Sequence, residues 1–285
     1  MLHQTLQYIQ DIARIPGFSS FEEVYHPHLL GLFGKWDGIE LYRPPGNSLI
    51  VKIPGEGSHA VAISSHIDKI NHFGENPPAQ LPVSTDGEQI TGQMDDAAGV
   101  GLCLALGEWM ARARTCTLYI LLTEMEEGMG LREHPWLMKN GGRDLHHGLG
   151  AERVSRFLIE NNMLPEAVLT LDTTPLFRGE PGVALYTGHW EFTEKQPDKG
   201  ERDRTDRLKE FLMAIDPDMR LANNTNDYLT YGRELGSLKG GIPSVAIEPA
   251  IFPYHQKNER VFIRDVNRVL QTVQTFLGSY KGLDA

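Results

Sequence analysis

Thr117–Thr123 (TLYILLT) is an almost uninterrupted apolar run of strand length. A strand without a polar face needs cover on both sides, which places it in the middle of a sheet with helices above and below. The segment just before it, Ala97–Arg112 (AAGVGLCLALGEWMAR), is mostly apolar and dotted with small residues, as a buried packing helix would be. Val168–Asp172, Val183–Thr187 and Ser244–Glu248 repeat the strand pattern. Ser48–Ile53 and Ala60–Ser65 precede it, parted by the turn chemistry of Pro54-Gly55-Glu56-Gly57. Amphipathic helices are expected over residues 2–15, ended by Pro16-Gly17, over Glu152–Asn161 and over Arg264–Tyr280. Another should start at Ser20, with Ser20 and Glu23 as a capping box, and run to Phe33. Residues 71–87 (NHFGENPPAQLPVSTDG) are polar, rich in Pro and Gly, and read as a surface loop. Strands alternating with helices give an α/β protein, a three-layer α/β/α sandwich around a central mixed, mostly parallel sheet. No repeat, low-complexity tract or linker interrupts it, so residues 1–285 are expected to form a single domain.

Charge narrows the function. The sequence carries 38 Asp+Glu against 27 Lys+Arg, a formal charge of −11. Nucleic-acid phosphates need clustered Lys and Arg, so that partner is excluded. An anionic membrane surface is disfavoured for the same reason, and no apolar run approaches the ~20 residues that span a bilayer. The opening MLHQTLQYIQDIARIPGF lacks the basic region and apolar core of a secretory signal. The 2 cysteines, Cys103 and Cys116, make no disulfide framework. A cytoplasmic protein is expected.

Acids and histidines gather where the expected strands end: His66-Ile67-Asp68, Asp95-Asp96, Glu126-Glu127, Asp172 and His255. Open α/β sheets bind their ligands at those ends. Each group also has a plain reading. His66 and Asp68 suit a surface pair, Asp95-Asp96 a helix cap, Glu126-Glu127-Gly128 a solvated turn, Asp172 an Asx turn and His255 a loop. Singly, the plain readings are as good as the chemical ones. Together they are not, because all five groups converge on one sheet edge, where unpaired carboxylates in a partly buried cleft repel one another. A metal pair removes that penalty. Zinc takes carboxylate oxygen and histidine nitrogen, and two ions can share one bridging carboxylate.

At these residues the chain resembles the di-zinc exopeptidase clan that includes bacterial leucyl aminopeptidase, glutamate carboxypeptidase and the tetrahedral aminopeptidases. The matching segments are SSHIDKI (64–70), GQMDDAAGVG (92–101), LLTEMEEGMG (121–130), LTLDTTP (169–175) and GIPSVAIEPAIFPYHQKNE (241–259), with IARIPGFSSFEE (12–23) similar to the clan's opening segment. The likeness runs in order along nearly the whole chain. It implies His66 and Asp172 on one zinc, His255 and Glu127 on the other, and Asp95 bridging both. It implies Asp68 as the carboxylate that holds the His66 imidazole, since a ligating imidazole usually donates its other N–H to an acceptor. Glu126 then resembles the general base, and a cis peptide is implied between Asp95 and Asp96.

Intervals place the chain within the clan. Only 29 residues separate His66 from Asp95 (95 − 66), too few for the extra domain of the tetrahedral enzymes, and 83 separate Asp172 from His255 (255 − 172), too few for a lid domain. The layout resembles the compact, single-domain leucyl aminopeptidase type. It departs from that type at an apparent insert, residues 132–150 (REHPWLMKNGGRDLHHGLG), within the 45 positions from Glu127 to Asp172 (172 − 127). His134, His146 and His147 of this insert are expected in a loop or interface, and the insert to shape either the substrate pocket or a subunit contact. His72 and His189 are expected at the surface. Tyr228, Tyr231, Phe252 and Tyr254 suit a side-chain pocket or the core, and Asn226-Asp227 a segment near the cleft or a plain helix cap. The function implied is zinc-dependent hydrolysis of short peptides from the N-terminus, with self-association into a homo-oligomer open. A deacylase or carboxypeptidase of the same clan, and a metal-free binding module, are the alternatives.

Overall fold

The computed structural model describes residues 1–283. Helix α1 (Leu2–Arg14) turns Tyr8, Ile9, Ile12 and Ala13 inward at helical spacing. A 3-10 turn at Glu22–Tyr25 leads into α2 (His26–Phe33). Strands β1 (Glu40–Tyr42), β2 (Leu49–Ile53), β3 (Ala60–His66), β4 (Ser84–Thr85) and β5 (Gln89–Gly92) follow, then α3 (Ala97–Ala113) and β6 (Thr117–Thr123). The second half holds α4 (Gly128–Glu133), α5 (Leu149–Glu160), β7 (Val168–Leu171), β8 (Val183–Tyr186), α6 (Lys199–Ile215), β9 (Arg220–Ala222) and α7 (Asp227–Leu235). It closes with β10 (Ser244–Pro249), β11 (Ile251–Phe252), β12 (Glu259–Phe262) and α8 (Ile263–Ser279).

The main sheet has eight strands in the order β1-β2-β6-β3-β7-β10-β8-β9. Its centre, β6-β3-β7-β10, is parallel, while β2 and β8 flank that centre antiparallel. The doubly apolar strand behaves as its sequence requires. Leu118, Ile120 and Leu122 of β6 face the core shared with α1, α3 and α8, and Tyr119 and Leu121 face the core shared with α5 and α7. Helices therefore cover both faces, and the three-layer architecture is as expected.

A second, antiparallel sheet, β11-β12-β5-β4, is not expected from the sequence, and its β4 falls within the surface loop expected over residues 71–87. Its strands have two to four residues each. Two of its pairings are local, β4 with β5 and β11 with β12, and the third, β12 with β5, joins distant parts of the chain, with Glu259 opposite Gly92. The main sheet also fixes where a ligand can sit. From β3 the chain crosses through α3 to β6 on one side, while β7 takes the other side. The crevice opened by such a reversal lies at the C-terminal strand ends.

Candidate metal centre

Strand ends and the loops beside them deliver the side chains of that crevice. His66 is the last residue of β3, Asp172 follows β7, Glu126 and Glu127 follow β6, Asp95 lies between β5 and α3, and His255 lies between β11 and β12. Asp95 is the hub. Its Oδ1 is 3.1 Å from His66 Nε2 and its Oδ2 is 3.4 Å from His255 Nε2. Each histidine has a second carboxylate: Asp172 Oδ1 is 3.7 Å from His66 Nε2, and Glu127 Oε2 is 3.4 Å from His255 Nε2. The ligand atoms of His66, Asp95 and Glu127 all lie within 4.8 Å of one another, as do those of His66, Asp96 and Asp172. The peptide between Asp95 and Asp96 is cis. Asp96 lies close to His66 and Asp172 and caps α3, with Oδ1 accepting from the Gly99 N–H at 2.7 Å and Oδ2 accepting from the Ser65 hydroxyl. The cap reading of the Asp95-Asp96 pair therefore belongs to Asp96, and Asp95 is free to face the histidines.

The electrostatics of this set call for a cation. Burial and the charge of Asp95 push the Glu127 carboxyl well above its usual range. Burial, with Asp172, Asp227 and Asp95 nearby, does the same to Glu126, and burial together with Asp95 raises Asp172. Burial pulls His66 down, but hydrogen bonds to Asp172, Asp68 and Asp95 outweigh it and hold the imidazolium well above its ordinary pKa. Carboxylates crowded out of water, with their open oxygens turned toward histidine nitrogens, suit a divalent ion of the zinc type.

Asp68 does more than orient His66. His66 Nδ1 lies 3.0 Å from the Asp68 backbone oxygen and 3.4 Å from its Oδ1. The same carboxylate accepts from the Glu126 N–H at 2.9 Å, the Glu127 N–H at 3.2 Å and the Ser19 hydroxyl at 2.7 Å. Glu22 completes the cradle, accepting from the Met125 N–H at 3.3 Å and the Ser20 N–H at 2.8 Å. Three successive N–H groups, of residues 125–127, are thus held by two fully buried carboxylates. Met125 and Ser20 both sit at positive φ, 58° and 72°, a conformation that costs a non-glycine residue about 1–2 kcal/mol and persists where its surroundings enforce it. The expected capping box is corrected here. Ser20 lies in the left-handed region, so the reach back to its N–H comes from Glu22, and the helical turn starts at Glu22.

Other side chains the sequence singled out fall elsewhere. His189 is buried rather than on the surface, with Nε2 2.7 Å from Glu201 Oε1. Tyr228 and Tyr231 are fully buried and belong to the core, whereas Phe252 and Tyr254 are exposed, and Tyr254 stacks on His255 at 3.6 Å. Asn226 caps α7, accepting from the Tyr228 N–H at 2.9 Å. Asp227 accepts from the Thr123 hydroxyl at 2.6 Å. Two further buried charged residues hold the surrounding structure. Lys69 is buried and donates to the backbone oxygens of Ile12 and Ile15 and to Tyr25, capping the end of α1 from the strand side. Glu259 accepts from the N–H groups of Met94 and Asp95.

No family model matches the sequence, and no curated protein matches it. Solved structures do. An aminopeptidase from the archaeon Desulfurococcus kamchatkensis superposes with a TM-score of 0.69 at 14% identity, over 98% of this chain and 96% of its own. The TET1 peptidase of Pyrococcus horikoshii, which can assemble into a tetrahedron or a large octahedral shell, gives 0.67 at 12% identity, over 97% of this chain and 100% of its own. A Thermotoga maritima structure named an endoglucanase gives 0.61 at 12% identity, over 95% and 96%. Structures named as peptidases and as an endoglucanase share this fold, so the reaction has to be argued from the site. What the likeness establishes is architecture: the chain has the α/β/α fold of these structures.

Proposed function

We propose that the protein is a metal-dependent exopeptidase that removes N-terminal residues from short peptides, with Glu126 as general base. The observation that carries this reading is Asp95, whose two oxygens lie against two different histidines, each with a second carboxylate of its own. Two divalent ions sharing one carboxylate need that donor pattern. His66, Asp95 and Asp172 would hold one, and His255, Asp95 and Glu127 the other, with zinc the metal whose donor preferences match. When bound, the ions would polarise the scissile carbonyl and acidify a water. Glu126 stands beside this set without belonging to it, so its carboxylate can take the water's proton and hand it to the leaving amine nitrogen. Asp68 keeps the base in place by gripping the backbone of Glu126 and Glu127. The carboxylate-lined cleft is complementary to the free α-ammonium of a peptide.

The test is metal retention. Protein incubated with zinc and dialysed should keep about two ions per chain, hydrolyse unblocked peptides, and lose that activity to a chelator. A dialysed protein that holds no zinc overturns the reading.

A further inference from the structure

The 132–150 insert ends against the segment that carries Glu126. Gly148 N–H donates to the Met125 carbonyl at 2.9 Å, and His147 Nδ1 bonds the Glu126 carbonyl oxygen. Backbones meet here at close range. A Cβ on Gly150 would lie 2.1 Å from the Glu124 carbonyl oxygen, and one on Gly128 would lie 3.1 Å from His147 Cβ. The Glu126 loop is therefore gripped from two sides. Its N–H groups are taken by Glu22 and Asp68 below, and its carbonyls at residues 125 and 126 are taken by the insert above.

A carbonyl oxygen can only accept, so His147 carries its proton on Nδ1. That leaves Nε2 uncommitted. The ring is 46% exposed, whereas the Glu126 side chain beside it is 11% exposed, and Nδ1 lies 3.9 Å from Glu126 Oε1. His147 is thus the partly open wall of an otherwise enclosed base.

We infer that His147 is a positioning residue for Glu126: its Nδ1–H bond to the Glu126 carbonyl sets the backbone from which the catalytic carboxylate is presented. The inference rests on Glu126 being the base. It gives the insert a task in the chemistry of this chain. A base misplaced by about 1 Å loses up to about 100-fold in rate while substrate binding is little affected.

Three variants separate the two ring nitrogens. His147→Asn keeps an N–H where Nδ1 stands, His147→Gln places its amide where Nε2 stands, and His147→Ala removes both. On zinc-loaded protein and an unblocked aminoacyl-p-nitroanilide, His147→Ala should lower kcat by about 10- to 100-fold with KM little changed. His147→Asn should recover most of the loss and His147→Gln should not. In metal-free protein, 15N spectra of labelled histidine should show His147 protonated at Nδ1. Wild-type kcat in His147→Ala beside an inactive Glu126→Gln overturns the inference and spares the base assignment. Recovery by Gln instead of Asn, or an Nε2-protonated ring, also overturns it. A fully active Glu126→Gln overturns the base assignment itself, and this inference with it.

Discussion

Glu259 Oε2 accepts the backbone N–H of Asp95 at 3.1 Å, and the same oxygen takes the N–H of Met94 at 2.8 Å. Its other oxygen accepts from the Gln256 N–H at 3.1 Å, one residue beyond His255. A single buried carboxylate on β12 therefore sets both the backbone of Asp95 and the loop of His255. Glu259→Ala leaves these N–H groups without an acceptor, and each buried unsatisfied donor costs about 1–3 kcal/mol. We expect a loss of roughly 2–4 kcal/mol in urea denaturation, together with a reduced zinc content. An unchanged midpoint and full zinc content would show that water replaces the carboxylate.

Glu126 and Glu127 are neighbours with different tasks in the proposed chemistry. Glu126→Gln keeps the shape of the base and removes its proton acceptor, so turnover should fall by ~10²–10⁴-fold with zinc content unchanged. Glu127→Gln should release one ion and leave the other site filled. Metal analysis beside the rate assay checks both, and equal metal loss in the two variants would reverse the assignment.

Burial, then the charge of Asp68, pushes the Glu22 carboxyl up to about 8. The ordinary value in an unfolded chain is about 4.3. A folded-state pKa raised in this way contributes stability that is complete below the unfolded value and is lost as pH rises through about 8. Glu22→Gln imitates the protonated form at every pH. Wild type should therefore lose stability relative to Glu22→Gln by up to roughly 1.4 kcal/mol per pH unit across that window. Melting curves of both proteins from about pH 5 to pH 9 report the difference. A difference that stays flat would mean that Glu22 keeps its charge in the fold.

The proposed release of N-terminal residues requires recognition of a free α-ammonium, which an N-acetyl group removes. Unblocked aminoacyl-p-nitroanilides should be hydrolysed and their N-acetylated counterparts refused. Turnover of the acylated set alone would make the protein a deacylase with the same metal centre.

The parts of this molecule that could be read from sequence are those whose chemistry is local. β6 declares itself because both its faces are apolar, and the acids and histidines at strand ends declare themselves because little else explains so many together. The parts that could not be read depend on contacts distant in the chain. Glu22 and Glu23 are indistinguishable as letters, and the left-handed turn at Ser20 decides which of them reaches back. His189 resembles a surface histidine until Glu201 is brought against it by folding. Glu259 sits in a segment singled out for His255, yet its task is visible only once β12 lies beside β5.

The pairing of those two strands has a consequence for how the protein is made. β5 leaves the ribosome long before β12 does, since Met94 and Glu259 stand 165 positions apart. Until β12 emerges, the amides of Met94 and Asp95 lack their acceptor, and the loop bearing His255 has no strand to anchor it. A nascent or prematurely terminated chain that ends before β12 holds β3, α3 and β6, whose strand pairing spans 57 positions (117 − 60). It cannot set Asp95 between two histidines. The geometry of this centre is therefore complete only once β12 has been made.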